Sequence, residues 1–271
     1  VLKALDTTLD KAAYLMETSR EGWFTWKSGN FSTQVTADVD EFNYVKADAI
    51  ATTVGAWVRA GTLTTQTAIT VTGTTWTRPL GCIGIEIEAC GGGGGSGSID
   101  AIAGRAGSCG GAGSGFSGKT TILDVTSVAS AVATIGAGGL AGAAAGAPLP
   151  GGNGGQTNIT IGANTYIWTG GTGGQGYTAN LSNTGIADGS VGGTGTLVAG
   201  YSNHGSMGVS TAADTAATGG NGGSSNWGTG GQGAHVVTAT HSGGNAGVGF
   251  GAGAGGSVNG GSATDIAGAA G

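Results

Sequence analysis

Hydrophobic residues recur every three or four positions at the start of the chain. They follow a 3-4-3-4 spacing at Leu2, Leu5, Leu9, Ala12 and Met16. Positions three and four apart share one face of a helix, so the spacing predicts an N-terminal helix over residues 1–20. An isolated helix of this length is only marginally stable in water. We therefore expect the apolar stripe to pack, either on its own domain or in a coiled coil with other copies of the chain.

The next region, residues 21–60, alternates short aromatic and β-branched runs with turn residues. This pattern predicts a small β head or connector module, with turns at residues 28–30 and near Gly55. The aromatic residues available for its core are Trp23, Phe24, Trp26, Phe31, Phe42, Tyr44 and Trp57. We interpret the charged residues of this region as a solvated surface.

Residues 61–136 predict a β-module that contains the first glycine run. Thr and β-branched residues at 68–72 favour one strand. From Ile83 onward, apolar residues alternate with glycine and glutamate, which is typical of a half-buried strand. Glu86 and Glu88 are of the type that forms catalytic carboxylate pairs, but two carboxylates on one strand face are more often a solvated edge.

Glycine dominates the remainder of the chain and changes this picture. Of the 271 residues, 63 are Gly, a share about three times the usual one, and all but Gly22, Gly29 and Gly55 follow residue 60. Charged residues are scarce after Lys119, and the whole chain has 3 Pro. Disordered segments are normally rich in charge and Pro, so this composition indicates an ordered structure instead of a flexible linker.

The glycines are grouped in runs such as GGNGG and GGTGG that recur about every 10 to 25 residues. A left-handed extended helix has no internal hydrogen bonds, so its backbone groups must pair with neighbouring segments. Only glycine allows such close approach on all sides. We therefore predict a bundle of polyglycine II helices over residues 137–271. Its structural glycines should include Gly152, Gly154, Gly171, Gly173, Gly220 and Gly222. The predicted fold class is thus mainly irregular and β, with a short N-terminal helix, a small β head, a β-module and this glycine-rich tip.

Charge and cysteine content exclude several classes of function. The net charge of −6 argues against a nucleic-acid partner, because nucleic-acid binders carry a dense basic face. No apolar run reaches about 18 residues, so we expect a chain that does not span a membrane. The 3 Cys do not make a disulfide framework, and the 3 His have no metal-ligand spacing. We expect free thiols, no metal, no cofactor and synthesis in a reducing compartment.

One stretch, GSGFSGKT at residues 113–120, matches the letters of a phosphate-binding loop. That loop requires a strand before it and a helix after it. Residues 120–125 are β-like instead, so we interpret the match as a coincidence in a glycine-rich chain.

Several motifs carry a family resemblance. The stretch GWFTWKSGNFS with the later YVKADA and GAWVR resembles the small module before the distal domains of bacteriophage tail fibres and tail spikes. TWTRPLGCIGIEIEACGGGGGSG and TSVASAVATIGAGG resemble the glycine-rich distal domain of phage tail-fibre proteins, and the GGxGG blocks resemble the polyglycine tail-tip adhesins of T-even-type phages. The resemblance implies a non-catalytic receptor-binding protein at the distal end of the virion's tail fibre. It also implies a homotrimer that contacts other virion proteins and a protein or glycan receptor on the bacterial surface.

In this family, specificity lies in the loops that join the polyglycine helices. Carried onto this sequence, the candidate receptor-binding residues are Tyr166, Trp168, Tyr177, Tyr201, His204, Met207, Trp227, His235 and His241. Aromatic side chains with a polar rim suit protein or sugar surfaces. About half of them could instead cap the ends of the bundle.

Two other functions compete with this one. A polysaccharide-cleaving tail spike shares the head module, but glycoside hydrolysis usually needs two nearby carboxylates, and the tail has widely spaced Asp124, Asp188, Asp214 and Asp265. An ice- or surface-binding protein would use rows of threonine such as Thr70, Thr72 and Thr74. Exposed Thr is ordinary on strands, so this is the weaker alternative.

Overall fold

The computed structural model describes residues 2–6, 11–16, 21–39, 41, 43–60, 66–79, 82–100, 105–144, 146–178, 186–206, 208–210, 216–238, 240–260, 262 and 264–271. The chain divides into two compact units. The small unit comprises Val1–Ile69, Thr77–Ile85 and Leu123–Ser130, and the glycine-rich unit comprises Thr70–Trp76, Glu86–Ile122 and Ala131–Gly271. The domain boundaries expected from the sequence stay predictions.

The small unit is built on a four-stranded antiparallel sheet of order β1-β2-β4-β3. Its elements are a 3-10 turn at Leu2–Ala4, β1 (Ala12–Leu15), β2 (Gly22–Ser28), α1 (Ser32–Ala37), β3 (Tyr44–Val45) and β4 (Gly55–Arg59). Phe24 and Trp57 are fully buried, and Trp26 packs partly buried against them, so these three aromatics form part of the expected core. Trp23 is 58 % exposed, and Phe42 lies outside the described residues.

The predicted N-terminal helix is corrected by the structure. Among the described residues, a 3-10 turn covers Leu2–Ala4, and the end of the apolar stripe lies in the strand β1, which pairs with β2. Ala13 and Leu15 pack on the Phe24 core, while Tyr14 contacts Trp23 edge to face at 5.3 Å. The alternation of a paired strand has therefore overridden the helical spacing. Leu9 lies outside the described residues.

The other strands are short. They are β5 (Thr75–Thr77), β6 (Gly84–Ile85), β7 (Glu88–Cys90), β8 (Ile99–Asp100), β9 (Ala106–Ser108), β10 (Ser117–Lys119), β11 (Leu123–Asp124), β12 (Ser130–Thr134), β13 (Thr157–Ile161), β14 (Asn164–Trp168), β15 (Tyr177–Thr178), β16 (Ile186–Ala187), β17 (Gly195–Thr196), β18 (Ala199–Tyr201), β19 (Gly208–Ser210), β20 (Ala217–Thr218), β21 (Trp227–Thr229), β22 (His235–Val236), β23 (His241–Ser242), β24 (Val248–Phe250) and β25 (Val258–Gly260). The strand expected at 68–72 is irregular, whereas the one expected from Ile83 is divided between β6 and β7.

Extended segments without helix or strand pairing alternate with these strands. From residue 91 onward, twelve such segments occur among the described residues, at 91–98, 109–116, 136–143, 150–156, 169–176, 188–194, 202–206, 219–225, 230–234, 243–247, 251–257 and 266–271, the last beginning with Ile266 in a single bridge to Ile99. An eight-residue segment of this kind spans about 25 Å at 3.1 Å per residue. These segments have the extended form expected of polyglycine helices, and two of them, 91–98 and 109–116, precede the residues 137–271 over which the sequence predicts the bundle.

The hydrogen bonds of segment 91–98 show the threefold repeat. The N–H groups of Gly92, Gly95 and Ser98 donate to one neighbouring segment over 2.9–3.0 Å. The acceptors also lie three residues apart and are the carbonyl oxygens of Gly155, Gly152 and Leu149. A series that advances by three residues on both sides requires three residues per turn, which is the geometry of polyglycine II.

Three segments form the centre of the bundle: 91–98, 109–116 and 251–257. They bond to one another, and nearly all of their residues are buried. Segment 91–98 shares backbone hydrogen bonds with six others: 109–116, 136–143, 150–156, 169–176, 251–257 and 266–271. Six neighbours around one rod is hexagonal packing, so three central helices are surrounded by nine outer ones. Backbone hydrogen bonds therefore replace the apolar core of an ordinary domain.

The close packing explains why these positions are glycine. A Cβ on Gly93 would lie 1.8 Å from the carbonyl oxygen of Ala252. Among the glycines singled out from the sequence, a Cβ would lie 1.9–2.1 Å from a backbone oxygen at Gly154, Gly171, Gly173, Gly220 and Gly222. Gly152 is less crowded, since the nearest atom would be the Leu140 nitrogen at 2.9 Å.

Successive segments run in opposite directions, so their connections alternate between two ends of the bundle. We call the end at which Gly91 begins the near end; its connections are 117–135, 157–168, 195–201, 226–229 and 248–250. The described residues of the connections at the opposite, far end are 99–100, 105–108, 144, 146–149, 177–178, 186–187, 208–210, 216–218, 235–238, 240–242, 258–260, 262 and 264–265. Far-end strands form sheets of order β16-β19-β20-β22 and β23-β25-β9, and near-end strands form β18-β10-β7 and β21-β24. All side chains that are too large for the bundle interior must lie at these ends or on its outer faces.

Candidate functional site

The structure does not bring the predicted receptor-binding residues into one cluster. Tyr166, Trp168, Tyr201 and Trp227 lie in near-end connections, whereas Tyr177, His235 and His241 lie at the far end. His204 is exposed within the outer segment 202–206, on the side of the bundle. Met207 lies outside the described residues. The sequence pattern could not separate the two ends, because it does not reveal the direction of each segment.

Two of these residues, Tyr166 and Trp168, stabilise the near end. Both lie on β14, which pairs with β13 in a hairpin, and Trp168 is fully buried while Tyr166 is 7 % exposed. The Trp168 indole Nε1–H donates to the carbonyl oxygen of Gly118 over 2.8 Å. Neither side chain can contact a receptor while the hairpin is folded, so their role in this structure is packing.

Other near-end aromatics are exposed. Tyr201 is 50 % exposed and donates its hydroxyl hydrogen bond to Asn226 Oδ1, beside Trp227, which is 39 % exposed. Trp227 is the cross-strand partner of Phe250, which is 63 % exposed. Sequence reasoning missed Phe250, although a single large aromatic between glycines could have marked it as a connection.

The far end combines exposed imidazoles with a small apolar cluster. His235 Nδ1 lies 2.8 Å from Thr218 Oγ1, and His241 Nδ1 lies 3.2 Å from Ser262 Oγ. Both histidines are exposed, on β22 and β23. Tyr177 is half-buried against Ile99, Cys109 and Ile266 and therefore anchors its loop to the bundle. The far end thus offers polar, hydrogen-bonding side chains on a rigid support.

The thiols of the glycine-rich unit are poor nucleophiles. Among the described residues, Cys82, Cys90 and Cys109 are all free. Burial raises the pKa of Cys109 to about 12 and that of Cys90 to about 11. At neutral pH both are protonated, which disfavours attack and metal binding because the thiolate is the reactive form.

Some of the ionisable groups singled out from the sequence, among them Lys119, Glu86 and Asp124, have structural partners. Lys119 Nζ lies 3.4 Å from Glu86 Oε2 and forms an ion pair with it. Lys119 ends the strand β10 and does not begin a helix, so the structure disfavours a phosphate-binding loop here. Asp124 accepts hydrogen bonds from the Thr126 N–H and hydroxyl, and these bonds lower its pKa.

Within the described residues, no group of three or more His, Cys, Asp or Glu side chains is arranged to hold a metal ion. None of the helices described there is long and apolar enough to span a membrane.

Comparison with known proteins agrees with this architecture. The family described as "Glycine-rich domain" matches residues 67–271, which is most of the chain and includes the whole bundle. The chain therefore belongs to the glycine-rich domain family. A comparison with curated proteins finds no match.

Proposed function

We propose that this protein is the receptor-binding part of a bacteriophage tail fibre, an adhesin that attaches the virion to the bacterial surface without cutting it. The proposal places the protein at the distal end of the fibre, in contact with other tail-fibre proteins and with an outer-membrane protein or glycan. It rests on the resemblance of the head and glycine-rich motifs and on the arrangement of the bundle ends.

The observation that carries the proposal is the far end of the bundle. The far-end connections are rich in non-glycine residues and are joined to helices fixed by backbone hydrogen bonds. A rigid scaffold that holds exposed polar side chains such as His235 and His241 in end loops suits recognition of a large surface.

Cell binding tests the proposal directly. Labelled protein is incubated with a panel of bacterial strains, and bound label and released sugar are measured in the same tubes. We expect saturable binding to some strains with no released sugar. Released oligosaccharide would identify a depolymerase, and absence of binding to every strain would contradict an adhesin.

A matched pair of variants tests which end binds. In a strain that binds the protein, we expect His235→Ala with His241→Ala to lower affinity at least 10-fold, because both exposed imidazoles lie at the far end. Tyr201→Ala with Trp227→Ala, at the near end, should leave affinity unchanged. The reverse pattern would assign the receptor contact to the near end.

The family resemblance also leads us to propose a homotrimer. The heptad spacing no longer supports a coiled coil, because Ala12–Leu15 is a strand. Light scattering of the full chain should therefore give three times the 25.5 kDa chain mass. A monomer would overturn this part of the proposal.

A further inference from the structure

A groove open to solvent lies on one side of the bundle, next to the far-end connections. It has a volume of about 690 Å³ and lies between the outer segments 150–156, 169–176 and 188–194. This volume lies within the usual range for small-molecule sites. Among the lining residues, those whose side chains can contact a ligand are Pro150, Asn153, Thr172, Gln175, Asp188 and Val191.

The floor of the groove is fixed by internal hydrogen bonds. Asn153 Oδ1 accepts from the Gly173 N–H over 2.9 Å, and Ser190 Oγ donates to the Gly173 carbonyl over 2.7 Å. Thr172 Oγ1 donates to the Val191 carbonyl over 2.7 Å. These bonds pair backbone groups of Gly173 and Val191 without a ligand. The floor is therefore ordered before binding, which lowers the entropy cost of binding a ligand.

Three exposed polar groups remain for a ligand. They are the Asn153 amide nitrogen, the Gln175 carboxamide and the Asp188 carboxylate, which make no hydrogen bond to the described residues in the structure. Together they offer donors and acceptors, and a carboxylate can accept from two adjacent hydroxyls. Pro150 and the 54 % exposed Val191 add apolar surface at the sides.

Charge narrows the class of ligand. Among the described residues that line the groove, Asp188 carries the only charge, and it is negative. Phosphorylated, sulfated or sialylated ligands would meet this carboxylate with no cationic side chain in the lining to balance it. A neutral molecule with many hydroxyl groups and C–H faces matches the groove instead.

We propose that this groove binds a short stretch of a neutral glycan, with Asp188 and Gln175 as the main hydrogen-bonding residues. The inference rests on the proposed function and deepens it, because it names a neutral glycan as the class of ligand and this groove as its site. It gives the protein a second contact with a polysaccharide-covered surface.

A matched control exists within the chain itself. The sequence TGGQG occurs at residues 172–176 and again at 229–233. Gln232, the counterpart of Gln175, is also exposed but lies in segment 230–234, which does not line the groove. Gln175→Ala and Gln232→Ala therefore remove the same side chain from the same local sequence.

The test is a titration of the full chain with neutral hexose and N-acetylhexosamine oligosaccharides of three to six units, followed by amide NMR. Sialylated and phosphorylated analogues are titrated in parallel. We expect shifts confined to the groove segments with at least one neutral oligosaccharide. Asp188→Asn and Gln175→Ala should each weaken its binding about 10-fold, whereas Gln232→Ala should not.

The proposal is overturned if no neutral oligosaccharide binds, if the charged analogues bind more tightly, or if both glutamine variants have the same effect. Thermal melting of each variant checks that the bundle remains folded. Binding of the protein to bacterial cells is measured separately. If the protein binds cells but no neutral glycan, the groove proposal alone is refuted. If it binds a neutral glycan but no cells, the adhesin proposal alone is refuted.

Discussion

At the scale of single residues, the glycines of the bundle differ in how much space they have. A Cβ at Gly154 would lie 2.0 Å from the Gly92 carbonyl oxygen in the central segment, whereas at Gly243 the nearest atom would be 4.0 Å away. The glycine runs alone do not distinguish these positions. The distinction follows from which side of an outer helix each residue occupies.

This difference predicts a graded series of Gly→Ala variants. Gly154→Ala should destabilise the protein by at least about 2 kcal/mol, because backbone on both sides must shift. Gly152→Ala should cost less. Gly243→Ala should be neutral or stabilising by about 0.5 kcal/mol, because alanine lowers the conformational entropy of the unfolded chain. Urea denaturation measures all three. Equal effects at Gly154 and Gly243 would show that the backbones do not touch as described.

The buried thiol of Cys109 should make the free energy of unfolding depend on pH in the alkaline range. Its pKa is about 12 in the folded protein against 9.0 ordinarily, so the folded state disfavours the thiolate. The resulting stability is fully present below pH 9 and is lost as the pH rises from 9 towards 12, by about 1.4 kcal/mol per pH unit.

The measurement compares urea unfolding of the wild type and Cys109→Ala between pH 8 and 10.5. The stability of the wild type should fall more steeply than that of the variant. Cys82→Ala, which removes a half-exposed thiol of the small unit, controls for the loss of a thiol. Parallel pH profiles for wild type and Cys109→Ala would contradict the burial of this thiol.

At the scale of elements, aromatic residues close the near end of the bundle. Trp168 is fully buried on β14, whereas Trp227 on β21 is 39 % exposed. Trp168→Ala should cost about 3–5 kcal/mol, because it leaves a large cavity and an unpaired Gly118 carbonyl. Trp227→Ala should change stability by only about 0.5 kcal/mol. Thermal or urea unfolding distinguishes them, and a small effect at Trp168 would contradict its role as an end cap.

The elements also show where sequence reasoning succeeded and failed. The GGNGG and GGTGG runs were sufficient to predict polyglycine helices, because few other structures use glycine at every inward position. The N-terminal spacing failed because the strand β1 turns Ala13 and Leu15 towards the core and leaves Ala12 and Met16 of the predicted stripe exposed. Such competition between local pattern and tertiary pairing is not visible in one short stretch of sequence.

Composition distinguishes several outer helices from the central ones. The central segments 91–98, 109–116 and 251–257 consist almost entirely of Gly, Ala, Ser and Cys. Several outer segments carry a larger polar residue on the exposed side, such as Asn153 or Gln175, although 136–143 and 266–271 do not. In GGNGG, that asparagine also has a structural task, because Asn153 and Asn221 each accept a hydrogen bond from a glycine N–H of the adjacent outer segment.

At the scale of the whole molecule, the glycine-rich unit separates a backbone core from its larger side chains. Its interior is backbone packed against backbone with small side chains such as Ser96 and Cys109, so the larger side chains described by the structure lie on the outer faces and at the two ends. The sequence could predict which residues belong to connections, but their division between near and far ends required the directions of the segments. In the proposed adhesin, recognition would therefore change through the loops and outer faces while the central hydrogen bonds stay the same.

The most direct test of this account is amide hydrogen exchange, residue by residue, in the intact protein. Segments 91–98 and 109–116 have neither α-helix nor β-strand, yet the account predicts that their amides exchange slowly, at rates set by opening of the whole bundle. Amides of the outward-facing residues, such as Asn153, should exchange much faster. Exchange of the central amides at the rate of an unstructured glycine chain would contradict a bundle held together by its backbone.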